Sequence, residues 1–317
     1  MALLLFCLAY VLPGYVGREP WKNADMTAFG YMVELLRSST QDAGVWLNPK
    51  LMGLSPEVDA LLPYWLGAWA MQIAPAWIAP DFAARLPFGL MLALTLVATW
   101  YGVYHLARSP GALPVAFAFG GEARPADYAR ALADGGLLAL IGCLGLAQLS
   151  HETTPALAQL CFTSLIFYAV AAMRFRSALP LVSAGAGLVG LTLSGGAAIA
   201  LLFGAGSALL CGLERPASDE RPAHRTLWTA GLLLVTGLAA VLAWWLGLWR
   251  WRIAVPADWS SLGRLLLWFT WPVWPLALWT LWRWRRQLGQ LRSHRHLALP
   301  LWFAAVAIGT TLATPSS

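Results

Sequence analysis

Residues 86–107, LPFGLMLALTLVATWYGVYHLA, form an unbroken apolar stretch without any Asp, Glu, Lys or Arg. About 20 such residues cross the hydrocarbon core of a bilayer as an α-helix, so the stretch predicts a transmembrane helix. Similar runs recur along the chain and predict an all-α integral membrane protein. They are residues 2–16, 60–80, 135–149, 156–173, 179–193, 197–213, 227–248, 265–281 and 297–312. Ser194-Gly195-Gly196 predicts a tight hairpin between the runs 179–193 and 197–213.

Composition agrees with this fold class. Of the 317 residues, 59% are hydrophobic and 11% are charged, whereas soluble domains carry about 25% charged residues. The net charge is +6, but the basic residues lie in short loops between apolar runs and form no continuous face. Nucleic-acid binding is therefore not expected.

The distribution of Lys and Arg predicts the topology, because these residues accumulate on the cytoplasmic side. Residues 283–295 contain five arginines, and residues 108–130, 174–176 and 215–225 are also basic or mixed. All four segments fall on the inside if the run 60–80 lies at the outer face instead of crossing. About nine transmembrane helices then remain. A chain with its N-terminus outside is the alternative.

Residues 17–85 then form an outer-face juxtamembrane region within a single transmembrane domain, 1–317. Residues 24–36 place apolar side chains at a helical spacing, which predicts an amphipathic helix on the membrane surface. These side chains are Met26, Phe29, Met32, Val33 and Leu36. No other loop has a comparable region, so function is expected in this first third of the chain.

Three carboxylates of this region are candidate catalytic groups: Asp25, Glu57 and Asp59. A carboxylate at a lipid–water boundary can act as a general base on a hydroxyl or an amine. The structural alternative is helix capping, since Asp is favoured at a helix start.

The segment Ser150–Pro155, SHETTP, is predicted to lie between two spans on the same face. There His151 and Glu152 are candidates for proton transfer, and His151 also for metal binding; the alternative is a helix start at Pro155. Lys22, Lys50 and Arg85 are predicted outer-face cations. The guanidinium of Arg85 is a candidate contact for a phosphate group, with an interfacial anchor as the alternative.

The order of several motifs resembles the type-C membrane glycosyltransferases, and most closely the protein O-mannosyltransferases and lipid A aminoarabinose transferases. In that family an outer-face helix that opens with an acidic pair follows the first span, and further short motifs follow it. The matching segments here are 21–25 (WKNAD) with Phe29-Gly30, 46–51 (WLNPKL), 62–66 (LPYWL), 82–87 (FAARLP) and 192–196 (TLSGG).

The resemblance implies a glycosyltransferase that moves a sugar from a polyprenyl-phosphate donor to a lipid or protein acceptor. Asp25 would be the catalytic base, with Glu57, Asp59 and Glu152 as helpers, while Lys50 and Arg85 would hold the donor phosphate. A divalent metal is a candidate cofactor. The implied location is the plasma (inner) membrane, with the active face periplasmic.

The chain departs from the family pattern at three places. Ala24 stands at the first acidic position, residues 58–61 replace an EKPP element, and Ser194 replaces a lysine. The alternative is therefore a non-catalytic membrane protein: a transporter, a flippase, or a degenerate transferase that only binds a lipid-linked sugar. Family members also continue beyond the last span of this chain, which leaves open that a C-terminal part is missing.

Overall fold

The computed structural model describes residues 2–38, 43–113, 123–175, 178–214, 222–249, 259–287, 289 and 294–313. Helices and turns make up this part of the chain. The helices are α1 Ala2–Tyr15, α2 Asn23–Ser38, α3 Leu62–Ile73, α4 Pro80–Ala107, α5 Pro125–Ile141, α6 Leu144–Leu149, α7 Pro155–Ala172, α8 Ala178–Leu191, α9 Ala197–Leu213, α10 Pro222–Trp245, α11 Trp259–Phe269, α12 Val273–Arg283 and α13 Arg295–Ala313.

Within the described part of the chain, five helical stretches are long and apolar enough to cross a membrane. A sixth is obtained if α11 and α12, which are bent by 90° relative to each other, are counted as one span. These helices support the prediction of an all-α, multi-pass membrane protein. The five stretches are Pro80–Ala107, Pro155–Ala172, Ala178–Leu213, Arg225–Trp245 and Arg295–Leu312.

Helix α4 lies at the centre of the first half of the protein, where it packs against α1, α3, α5 and α7. It has 28 residues and begins at Pro80, with Asp81 in its first turn; both are favoured at a helix start. At 1.5 Å per residue it is about 42 Å long, whereas a bilayer core is about 30 Å thick. The first turns of α4, which carry Arg85, therefore lie before the apolar stretch 86–107, and the helix is long enough for them to extend beyond the bilayer core.

The stretch Ala178–Leu213 turns back on itself and is not one straight rod. Helical geometry breaks at Ser194 and at Gly195, where φ is +82°. The Gln159 amide, near the start of α7, donates to the Ser194 carbonyl over 2.8 Å. Cys211, near the end of α9, lies 3.5 Å from Met173, just after the end of α7. Helices α8 and α9 therefore run antiparallel, with the turn where the sequence predicts it.

The loops gather at two ends of the helix bundle. Arg108, after α4, stacks over Phe175, after α7, at 5.2 Å. Glu214, after α9, pairs with Arg174 at 2.9 Å and with Arg295 at 3.1 Å. These residues define the Arg295 end. The opposite end, which we call the Asp25 end, holds the α8–α9 turn and the start of α7.

Helix α2 confirms that residues 24–36 are helical but turns a different face inward. Its buried residues are Asp25, Ala28, Tyr31, Met32 and Leu35, whereas Met26 is exposed. Because α2 packs against α3 and α4, protein contacts as well as lipid select its buried side.

Helix α3 is shorter than the apolar run 60–80 that predicts it. It has 12 residues and ends at Ile73, two residues before Pro75. A helix of that length reaches about 18 Å against a bilayer core of about 30 Å, and Pro75 prevents its continuation.

Two predicted spans are interrupted. The run 135–149 is divided at Gly142 and Cys143, between α5 and α6. The run 265–281 is divided by the 90° bend between α11 and α12. The two breaks meet, because the Leu144 amide donates to the Trp271 carbonyl over 3.1 Å.

The α8–α9 turn depends on glycine at position 195. An added Cβ would lie 2.4 Å from Val58 Cγ1, and the positive φ strains other residues. Gly195→Ala should therefore lower the free energy of unfolding by at least about 1–2 kcal/mol, measured by thermal or denaturant unfolding in detergent micelles. Gly185→Ala is the control: its helical site is open, and it should stabilise the protein by about 0.5–1 kcal/mol. Equal effects of the two changes would contradict this account of the turn.

Candidate functional site

A buried ion pair joins α2 to α4 at the Asp25 end. Arg85 Nη2 donates to Asp25 Oδ2 over 3.1 Å, and the two side chains are 1% and 0% exposed. Isolated charges are strongly disfavoured in such a setting, and a buried charge is tolerated only when it is paired and hydrogen-bonded. The pair therefore fixes the start of α2 against the first turns of α4.

The loop between α6 and α7 completes the partners of Asp25. Asp25 Oδ1 accepts two hydrogen bonds from Thr153, one from the backbone N–H at 2.8 Å and one from the hydroxyl at 2.6 Å. Arg85 Nη1 donates to the Arg18 carbonyl. Three segments distant in sequence thus meet around one carboxylate, and the segment after α1 joins them through Arg85.

A second ion pair lies closer to the surface. Lys22 Nζ is 3.3 Å from Glu152 Oε1; the lysine side chain is 28% exposed and the glutamate 2%. Lys22 and Arg18 both lie over the Trp21 ring, at 4.8 and 4.6 Å from its centre. Two cations therefore flank one partly exposed indole ring.

Several buried polar atoms around these pairs have no hydrogen-bond partner among the described residues. They are Arg18 Nη2, Arg85 Nε and Thr154 Oγ1. Buried polar atoms in folded proteins almost always have a partner. Their concentration here, with both donors and acceptors, indicates a place that can accommodate water or a polar ligand.

His151 packs between α1 and the α6–α7 loop. Its Nε2 lies 2.8 Å from the Tyr10 carbonyl and its Nδ1 lies 3.2 Å from the Ala147 carbonyl, and both carbonyls can only accept. Nδ1 lies 3.2 Å from the Ser150 hydroxyl. A Cβ on Gly14 would meet the imidazole ring at 1.8 Å, so α1 approaches this ring closely. The described residues contain no group of three His, Cys, Asp or Glu side chains that could hold a metal ion.

Glu57 and Asp59 lie on the segment that leads into α3. Glu57 is exposed and Asp59 is half-buried. The Leu61 amide donates to the Leu193 carbonyl over 2.8 Å, which holds this segment against the α8–α9 turn. These two carboxylates therefore stand near the surface, outside the Asp25 network.

Two tyrosines border this segment. The Tyr31 and Tyr64 rings are 5.3 Å apart. Burial raises the pKa of both phenols, and the negative charge of Glu57 raises them further. Both phenols therefore stay neutral at physiological pH and can donate a hydrogen bond.

The two cations predicted to hold a phosphate lie in different surroundings. Arg85 is buried beside Asp25, whereas Lys50 is exposed next to the turn in which Leu51 and Leu54 exchange backbone hydrogen bonds. Trp65 Nε1, on α3, donates over 2.7 Å to the carbonyl of Trp46, which ties this loop to the helix.

Sequence reasoning identified Asp25, Arg85 and Glu152 but not how they are connected. It missed Arg18 and the contact of Thr153 with Asp25. One signal for Arg18 is present in the sequence, because Arg18 and Lys22 flank Trp21 directly after the first apolar run.

Comparison with known proteins identifies no family: no family model, curated protein or solved structure matches the chain.

Removing one partner of the Asp25–Arg85 pair leaves a buried charge unpaired. Asp25→Asn and Arg85→Gln should each lower the free energy of unfolding by about 3–5 kcal/mol. The double variant should cost less than the sum of the two, which a double-mutant cycle measures.

The exposed ion pair of Asp127 and Arg130 provides the control. Arg130 Nη1 lies 3.0 Å from Asp127 Oδ1, and the two side chains are 62% and 56% exposed. Arg130→Gln should change stability by no more than about 0.5 kcal/mol. If Arg85→Gln cost no more than Arg130→Gln, the structural role of the buried pair would be disproved.

Proposed function

We propose that this protein is a glycosyltransferase that uses a polyprenyl-phosphate sugar and works at the Asp25 end. One observation carries the proposal: the motifs that resemble type-C glycosyltransferases lie far apart in sequence but form one connected layer. Asp25 contacts Arg85, Trp65 contacts the loop at Trp46, and the segment before α3 contacts the turn at Leu193. Such a layer is what a shared substrate site requires.

The proposal includes a topology with nine crossings. They are α1, α4, the α5–α6 pair, α7, α8, α9, α10, the α11–α12 pair and α13. Helices α2 and α3 lie at the outer face. The arginines at the Arg295 end favour a cytoplasmic position for that end, which makes the Asp25 end periplasmic in a plasma (inner) membrane.

In this proposal the donor phosphate is held by cations that reach the surface. Lys22 and Arg18 lie beside the partly exposed Trp21, and Lys50 is exposed on the neighbouring loop. For Arg85, which is buried and paired with Asp25, the proposal assigns the orientation of the layer that carries the other cations, in place of a direct phosphate contact.

Proton acceptance is proposed for a carboxylate that an acceptor can reach. Asp25 is fully buried and already accepts three hydrogen bonds, which favours a positioning role for it. Glu57 and Asp59 stand nearer the surface. In the step proposed, the acceptor hydroxyl or amine attacks the anomeric carbon and the bond to phosphate breaks. The phosphate leaves with the electron pair, and the carboxylate takes the acceptor proton.

The burial of Asp25 also favours a second candidate function. With Ala24 at the first acidic position and Asp25 occupied by Arg85 and Thr153, the protein would bind a lipid-linked sugar without transferring it. This candidate shares the phosphate contacts and lacks the proton acceptor.

Binding and transfer are measured separately on the purified full chain, with a radiolabelled undecaprenyl-phosphate sugar and with undecaprenyl phosphate alone. Lys22→Ala should weaken donor binding about tenfold, since a hydrogen bond to a charged group contributes about 1.5–3 kcal/mol. Arg130→Ala, at an exposed cation outside the site, should leave binding unchanged. Glu57→Gln and Asp59→Asn should preserve binding, and one of them should abolish transfer.

Donor binding without transfer by the unaltered protein would contradict the transferase and support the binding protein. Absence of binding to either probe would contradict both candidates.

A further inference from the structure

A groove opens on the side of the helix bundle between α4, α7 and α8. Its volume is about 300 Å³, and Leu94, Tyr101, Leu165, Tyr168, Leu179 and Ser183 contribute to its walls. It lies in the half of the bundle next to the Arg295 end, because α8 begins there and His105, which also lines it, stacks on Phe175 at 5.2 Å. The groove is therefore separate from the Asp25 network.

The groove opens on the outer surface of the helix bundle. Leu94 and Leu179, on its two edges, are 42% and 53% exposed, and both belong to stretches that are able to cross a membrane. Such side chains face lipid acyl chains in a bilayer. A group the size of a water molecule takes about 30 Å³, so the groove holds about ten methylene groups.

The polarity of the groove changes along its length. Leu94 and Leu165 line the part nearer the middle of α4 and α7, whereas Tyr101, Tyr168 and His105 form a polar aromatic cluster with ring centres 6.1–6.4 Å apart. One helical turn further along α4, the exposed Arg108 lies over the Tyr104 and Phe175 rings. An apolar groove that leads to polar groups and then to a cation suits an acyl chain that ends at an anionic headgroup.

Two described carboxylates near this end are engaged within the protein. Glu214 pairs with both Arg174 and Arg295, at 2.9 and 3.1 Å, and Asp134 accepts a hydrogen bond from Trp100 Nε1 over 2.7 Å. Arg108 lies one helical turn after the lining residue His105, and its positive charge favours an anionic headgroup.

We infer that this groove binds one acyl chain of an anionic phospholipid from the leaflet at the Arg295 end, with the lipid phosphate at Arg108. The inference is independent of the proposed sugar transfer, because it concerns other residues at the opposite end of the bundle.

Native mass spectrometry of the full chain in detergent tests the inference, with phosphatidylglycerol and phosphatidylcholine as probes. The unaltered protein should retain one phosphatidylglycerol in preference to phosphatidylcholine. Ser183→Phe places a ring in the groove and should weaken retention about tenfold. Val182→Phe, at the adjacent exposed residue, is the matched control and should leave retention unchanged. Arg108→Gln should remove the preference between the two headgroups without abolishing binding.

A series of acyl lengths on the unaltered protein keeps the test independent of variant folding. Retention should rise with chain length up to about ten carbons, the capacity of the groove, and then level off. Three results would overturn the inference: no dependence on length, equal retention of the two headgroups by the unaltered protein, or equal effects of Ser183→Phe and Val182→Phe. A dimer that Ser183→Phe dissociates would instead assign the groove to a second copy of the chain.

Discussion

The contact between Asp25 and Arg85 is the constraint on which the Asp25 end depends. Both charges are almost completely buried, and each would be strongly disfavoured without the other. Their pairing, extended by Thr153 and the Arg18 carbonyl, brings α2, α4, the α6–α7 loop and the segment after α1 to one place. Because two charges away from water must be paired, the segments that carry them are held together in one surface layer.

That geometry separates the polar residues at this end into two groups. Asp25 and Arg85 are paired with each other and buried. They would therefore affect a substrate only by positioning the helices that they join. Lys22, Glu57 and Lys50 keep access to the surface or stand at its edge. Under the proposed function, contacts with a substrate therefore fall to the second group.

Local patterns in the sequence predict much of the fold. Apolar runs identify the principal helices, the periodicity of residues 24–36 identifies α2, and Ser194-Gly195-Gly196 identifies a turn. The same patterns do not show that α2 buries Asp25 or that the run 265–281 bends by 90°, because these features arise from packing between distant segments. Asp25 and Thr153 are 128 residues apart, and no local pattern encodes such a pairing. The candidate site was therefore predictable as a set of residues but not as a network.

Hydrogen–deuterium exchange of the unaltered protein and of Arg85→Gln tests the central claim most directly. Local opening reports the stability of each segment separately. The structure predicts faster exchange in Arg85→Gln in two segments together, the first turn of α2 and the loop 150–154, with unchanged exchange near Glu214 at the Arg295 end. Unchanged protection of α2 and of the loop would contradict the claim that the buried pair organises this end of the protein.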